Sequence, residues 1–141
     1  MKQKVVLSIR GQQSYVGQDP DVIELVTEGT LERLDDRWEI CYEETALTGM
    51  EGVKTCFCVE PDRIVLTRSG KLNSQMVFRE GVPHETLYQM EFGALMLSVT
   101  ATKIAVSLSN EGGTVDLNYN IEIEHSSAGL IVYHLDLKPQ E

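Results

Sequence analysis

The chain has 141 residues, with 12 Lys plus Arg against 22 Asp plus Glu and a net charge of −10. Hydrophobic residues are 42% of it, with 11 Gly and 4 Pro, which excludes a disordered, collagenous or low-complexity chain and leaves enough apolar surface for one core. So acidic a surface repels a phosphate backbone, and nucleic acid is not an expected partner.

The N-terminus, Met1-Lys2-Gln3-Lys4, passes into only a short apolar stretch, Val5 to Ile9, before Arg10. That is too short for a secretory h-region, and no window approaches the ~18 apolar residues of a membrane helix. The expectation is a cytoplasmic protein without a membrane partner. Cys41, Cys56 and Cys58 are odd in number, which in that compartment fits reduced thiols better than a disulfide framework.

Along the chain the apolar period is two. Val5, Leu7 and Ile9 share one face, as do Ile23, Leu25 and Leu31, then Trp38, Ile40 and Tyr42. Val53, Phe57 and Val59 follow, then Ile64 and Leu66, Met76 and Phe78, and Tyr88 with Met90. Leu95, Leu97 and Val99 are odd-numbered, whereas Ile104, Val106 and Leu108 are even. One extra residue near Ala101-Thr102 restores a single face, so a long strand from Ala94 to Ser109 should carry a bulge. Val115, Leu117, Tyr119, Ile121 and Ile123 alternate with polar residues and are all expected in the core. Ile131, Tyr133, Leu135 and Leu137 close the series.

Turn-forming pairs such as Asp35-Asp36, Pro61-Asp62, Ser69-Gly70 and Gly112-Gly113 separate these runs. Ten strands with short connections and no helix predict one domain over 1–141, all-β, folded as an antiparallel up-and-down barrel of about 8–10 strands.

Several stretches, in this order, resemble the YwiB-like family of uncharacterised bacterial barrels grouped with the calycins. They are Val22-Ile23-Glu24, Tyr42-Glu43-Glu44, Val53-Lys54-Thr55, Arg68-Ser69-Gly70, Phe78-Arg79-Glu80-Gly81 and Tyr88 to Leu97, followed by Gly113 and Tyr119. The resemblance spans nearly the whole chain and implies a lipocalin- or streptavidin-like barrel in a bacterial cytoplasm. It implies no activity. A lipocalin's Gly-x-Trp is missing near the start, and the Gln12–Pro20 connection is too short for the helical lid of a fatty-acid-binding protein, so no lipid ligand is carried over.

Parity also selects a candidate site. Glu44 shares the face of Trp38, Ile40 and Tyr42, and Arg68 shares that of Ile64 and Leu66. In a meander the third and fifth strands run the same way, so both charges should enter one mouth of the barrel. Thr55, Ser74 and Tyr88 fall at the same end, making Arg68, Glu44, Tyr42, Thr55, Ser74 and Tyr88 the candidate ligand-binding set. An inward charge costs several kcal/mol unless paired or bound. The set therefore either recognises a small anionic or bifunctional molecule with Arg68 as anchor, or forms an ionic plug in a filled barrel.

Between Lys54 and Arg79 five basic residues stand against two acidic ones, without the aromatic interleaving of an RNA-stacking surface. Cys56-x-Cys58 offers two thiols on one outward face, short of the four ligands zinc takes, and His84, His125 and His134 are scattered. No metal or cofactor is expected. Nucleophile elbows, phosphate loops and His-Glu-x-x-His are missing, so no catalytic residue is assigned. Binding of a small molecule or protein partner is the first reading. An enzyme using Glu44 beside Arg68, and a filled interaction barrel, are the others.

Overall fold

The computed structural model describes residues 2–14, 19–45, 51–71, 73–90 and 93–140, without the side chains of 88–90 and 127. Ten strands follow one another: β1 (Lys2–Ser14), β2 (Asp21–Leu34), β3 (Arg37–Glu43), β4 (Val53–Glu60), β5 (Arg63–Gly70), β6 (Ser74–Phe78), β7 (Pro83–Met90), β8 (Gly93–Ser109), β9 (Gly112–Ile123) and β10 (Ser126–Pro139). The described residues contain no helix, and hence none long and apolar enough to cross a membrane.

All ten strands form one antiparallel sheet in the order β6-β5-β4-β3-β2-β1-β10-β9-β8-β7, with β1 paired to β10 over ten residues. The sheet curls until β6 and β7 approach, giving a nearly closed barrel. Short turns hold the register: Leu34 faces Arg37 across Asp35-Asp36, and Ile123 faces Ser126 across Glu124-His125. Both residues of that second turn have positive φ (51° and 69°), the twist-matched geometry of a two-residue hairpin.

The alternating apolar residues fill the interior. Val5, Leu7, Ile40, Phe57, Ile64, Leu66, Phe78, Val99, Leu117 and Leu135 are at most 1% exposed. Gly29 lies among them because a Cβ there would stand 2.5 Å from the Cys41 carbonyl oxygen and 2.6 Å from Leu7. A side chain at that position would push β2 away from its neighbours.

The parity change in β8 is a real bulge. Its pairing with β9 shifts between Ala101 and Lys103, so Thr102 is the extra residue. The shift leaves backbone groups that the β6–β7 turn takes up. Gly81 N–H donates to the Ala101 carbonyl at 2.9 Å, and Ile104 N–H donates to Glu80 Oε2 at 2.7 Å. The bulge thus latches the turn that brings the sheet's two edges together.

Three expectations need correction. Ile123 is not core: it is 36% exposed, because β9 has passed the rim by its last residue. Val106 is 42% exposed for a different reason: β7 pairs with β8 only as far as Thr100, so Val106, although opposite buried Val115 of β9, has no β7 neighbour and faces an open cleft. The thiols are not all reduced either, since Cys41 and Cys56 form a disulfide and Cys58 alone is free. The β3–β4 register sets Cys41 directly opposite Cys56, Cα atoms 4.1 Å apart and both side chains on the outer face.

Candidate functional site

Four of the expected site residues form one cross-strand row. Tyr42 pairs with Thr55, Thr55 with Arg68, and Arg68 with Ser74, so β3 to β6 each contribute one inward side chain at the same level. Glu44 sits one step further along, just past the end of β3, where its N–H donates to the Val53 carbonyl at 2.8 Å. Adjacent Glu43 points the other way and is exposed, whereas Glu44 is 5% exposed. Tyr88 belongs to β7 at the same end, but its side chain lies outside the described residues, as do residues 46–50 and 15–18 of the flanking loops.

The Glu44 carboxylate is held from two sides. Thr55, fully buried, donates its hydroxyl to Glu44 Oε2 at 2.5 Å, and the Tyr42 hydroxyl is also hydrogen-bonded to Glu44. Burial, then the nearby Glu44 and Tyr133, push the Tyr42 phenol far above its usual value, against a downward pull from Arg68. Burial would by itself lower the Arg68 pKa. Tyr133, Tyr119, Tyr42 and Glu44 around the guanidinium outweigh it, and the net shift is upward. The Arg68 Nε is buried and has no hydrogen-bond partner.

Arg68, Tyr42 and Glu44 line a cavity of ≈130 Å³ at this mouth. Its opposite wall comes from strands that sequence reasoning left out of the site: Ile9, Gly11 and Gln13 of β1, Ile23 and Leu25 of β2, and Ile131 and Tyr133 of β10. The cup is therefore two-sided, charged and phenolic on β3–β5, mainly aliphatic on β1–β2. Gly11 makes room for the Tyr133 ring, since a Cβ there would lie 3.1 Å from it. Tyr133 in turn stacks at 6.3 Å on Tyr119, which packs at 4.5 Å against Phe78, so an aromatic floor continues into the core.

Parity did single out Tyr133 as an inward residue. Its place at the mouth depends on how far the strands tilt on closure, which alternation does not encode. Ser74 is half-buried opposite Arg68 and does not line the cavity. Of the five basic residues between Lys54 and Arg79, Arg68 is inside, while Arg63 and Arg79 pair with Glu60 and Asp62 at 3.0 and 2.7 Å. No group of three or more metal-ligating side chains stands together among the described residues.

A family model described as "Domain of unknown function (DUF1934)" matches residues 7–135. The chain belongs to this family. Its fold matches the crystal structure of the ywiB protein from Bacillus subtilis with a TM-score of 0.88 at 21% sequence identity, covering 99% of this chain and 94% of that one. At that identity the likeness establishes the barrel alone. No curated protein matches.

Proposed function

We propose that this barrel is a non-catalytic binding protein, located in the bacterial cytoplasm, that holds one small monoanionic molecule at its mouth. The observation carrying the reading is Arg68: a guanidinium turned inward, its buried Nε without a partner, in the wall of a cavity that is apolar on the other side. A small carboxylate with a short aliphatic body matches both walls, its anion towards Arg68 and its body against Ile9, Leu25 and Ile131. The volume, ≈130 Å³, suits that size, being below the about 150 Å³ that accommodates benzene. Gln13 and Tyr133 supply further polar contacts. One ligand held within a β-barrel is the mode of action that a calycin-like grouping supports.

Native mass spectrometry of the protein purified from its own host cytosol tests the proposal. The expected spectrum carries a stoichiometric small-molecule mass that disappears on denaturation and is missing from Arg68→Ala. An unliganded mass, with no binding of small carboxylates detectable by calorimetry, overturns it.

A further inference from the structure

On the outer face, the wall that carries Tyr42 and Thr55 inward carries Cys41 and Cys56 outward. We propose that the Cys41–Cys56 disulfide is a thiol-exchange site, opened by an anionic low-molecular-weight thiol that docks in a lysine-lined groove beside Cys41. The groove, ≈330 Å³, runs over the outer side of β1 to β4 and is lined by Lys2, Lys4 and Lys54 as well as Cys41. Cys56 does not line it, which makes Cys41 the sulfur an incoming thiolate meets. Two carboxylates share the groove. Glu28 accepts a hydrogen bond from Gln140 Nε2 at 3.0 Å, and Glu43 stands opposite Lys54 in the register. Three ammonium groups against two carboxylates leave the groove net positive on a protein of net charge −10, so an anionic thiol is drawn to this place in preference to the rest of the surface.

The exchange is a two-step displacement. The external thiolate attacks Cys41 Sγ, the sulfur–sulfur bond breaks, and its electron pair leaves on Cys56, which takes up a proton. The product is a mixed disulfide on Cys41. A second thiol, as thiolate, then attacks the external sulfur and releases the oxidised reagent, leaving Cys41 as a thiol. Two electrons pass from two thiols to the protein. Cys58 lies on the same outward face, but its thiol is pushed up by burial first and by Glu60 second, which makes it a weaker competitor as a thiolate.

The test uses the full chain isolated without reductant, with reduced glutathione as the anionic probe and mercaptoethanol as the neutral one. Acid-quenched peptide mapping should show the glutathione adduct on Cys41. Glutathione should react several-fold faster than mercaptoethanol per thiolate, and that advantage should vanish in Lys54→Gln, in Lys2→Gln/Lys4→Gln, and at high salt. The proposal is overturned if Cys41 and Cys56 both alkylate freely in protein kept under oxidising conditions. An adduct on Cys56, or an advantage for glutathione that survives both lysine substitutions, overturns it equally.

Discussion

The two ends of the barrel treat charge in opposite ways. At the base, where β4 turns into β5 and β6 into β7, a cleft of ≈680 Å³ opens beside Trp38, Val59 and Ile104. It is larger than the mouth cavity, yet most of the charges on its rim answer one another, although Arg37 beside it at the start of β3 also has a buried Nε without a partner. Arg63 pairs with Glu60, Arg79 with Asp62, and Glu80 accepts the backbone N–H that the β8 bulge frees. At the mouth, Glu44 is buried and Arg68 half-buried, with the buried Arg68 Nε left without a partner. Exposed ion pairs cost little and contribute little, whereas a buried guanidinium is expensive to keep. The smaller space is thus the one where a cost to folding is expected, and that expectation supports the proposal that the mouth is the site.

Both ends depend on one core, so the largest effect should be common to them. Leu117→Asp, which places a carboxylate at a fully buried position, should abolish the fold, losing more than about 4 kcal/mol. Asn118→Asp, on the opposite face of β9, should leave the circular dichroism spectrum and melting point unchanged. A folded Leu117→Asp would break the account of the interior.

Thr55→Val separates the ends. It keeps shape but removes the hydroxyl that donates to Glu44, and should cost about 1–3 kcal/mol in denaturant unfolding. Arg79→Ala at the base should leave the same midpoint within error. Equal effects would erase the contrast.

Much of this contrast was legible in the sequence, and the reason is local. A strand's side-chain period is two, so the row of Tyr42, Thr55, Arg68 and Ser74 followed from parity and turn positions alone. The β8 bulge was legible for the same reason, because an extra residue shows as a parity change. Tyr133 was not placed at the mouth, since bringing β10 round to face Arg68 depends on strand tilt. The disulfide was hidden behind a prior about compartment, although the register that opposes Cys41 to Cys56 follows from the same hairpin arithmetic that placed Tyr42 opposite Thr55.

Alkaline titration sharpens the picture of the mouth. Tyr42 has its folded pKa raised above the ordinary 10.0, so the unfolded chain releases its proton first. The stability tied to the neutral phenol is fully present below pH 10.0 and is lost as pH rises beyond it. Tyr42→Phe should flatten the decline in unfolding midpoint above that pH. An unchanged slope would mean that Tyr42 is not buried against Glu44.

The smallest effect belongs to the base. The Arg79 hydrogen bond, helped by its charge, holds the Asp62 carboxyl below the usual carboxylate range, against a slight upward push from desolvation. The associated stability is present above the unfolded pKa and is lost as pH falls through the folded one. In so exposed a pair it should barely move the unfolding midpoint. Arg79→Ala should move the Asp62 titration up towards the ordinary carboxylate range in a carbon-detected NMR experiment, with the fold untouched.

Denaturant unfolding of Arg68→Ala, set beside the wild type without ligand, tests the central claim most directly. If Arg68 is held for a ligand at the expense of folding, the variant should be as stable as the wild type or more so. A loss of several kcal/mol would show instead that Arg68 is the structural partner of a buried carboxylate, and that the mouth is a plug rather than a site.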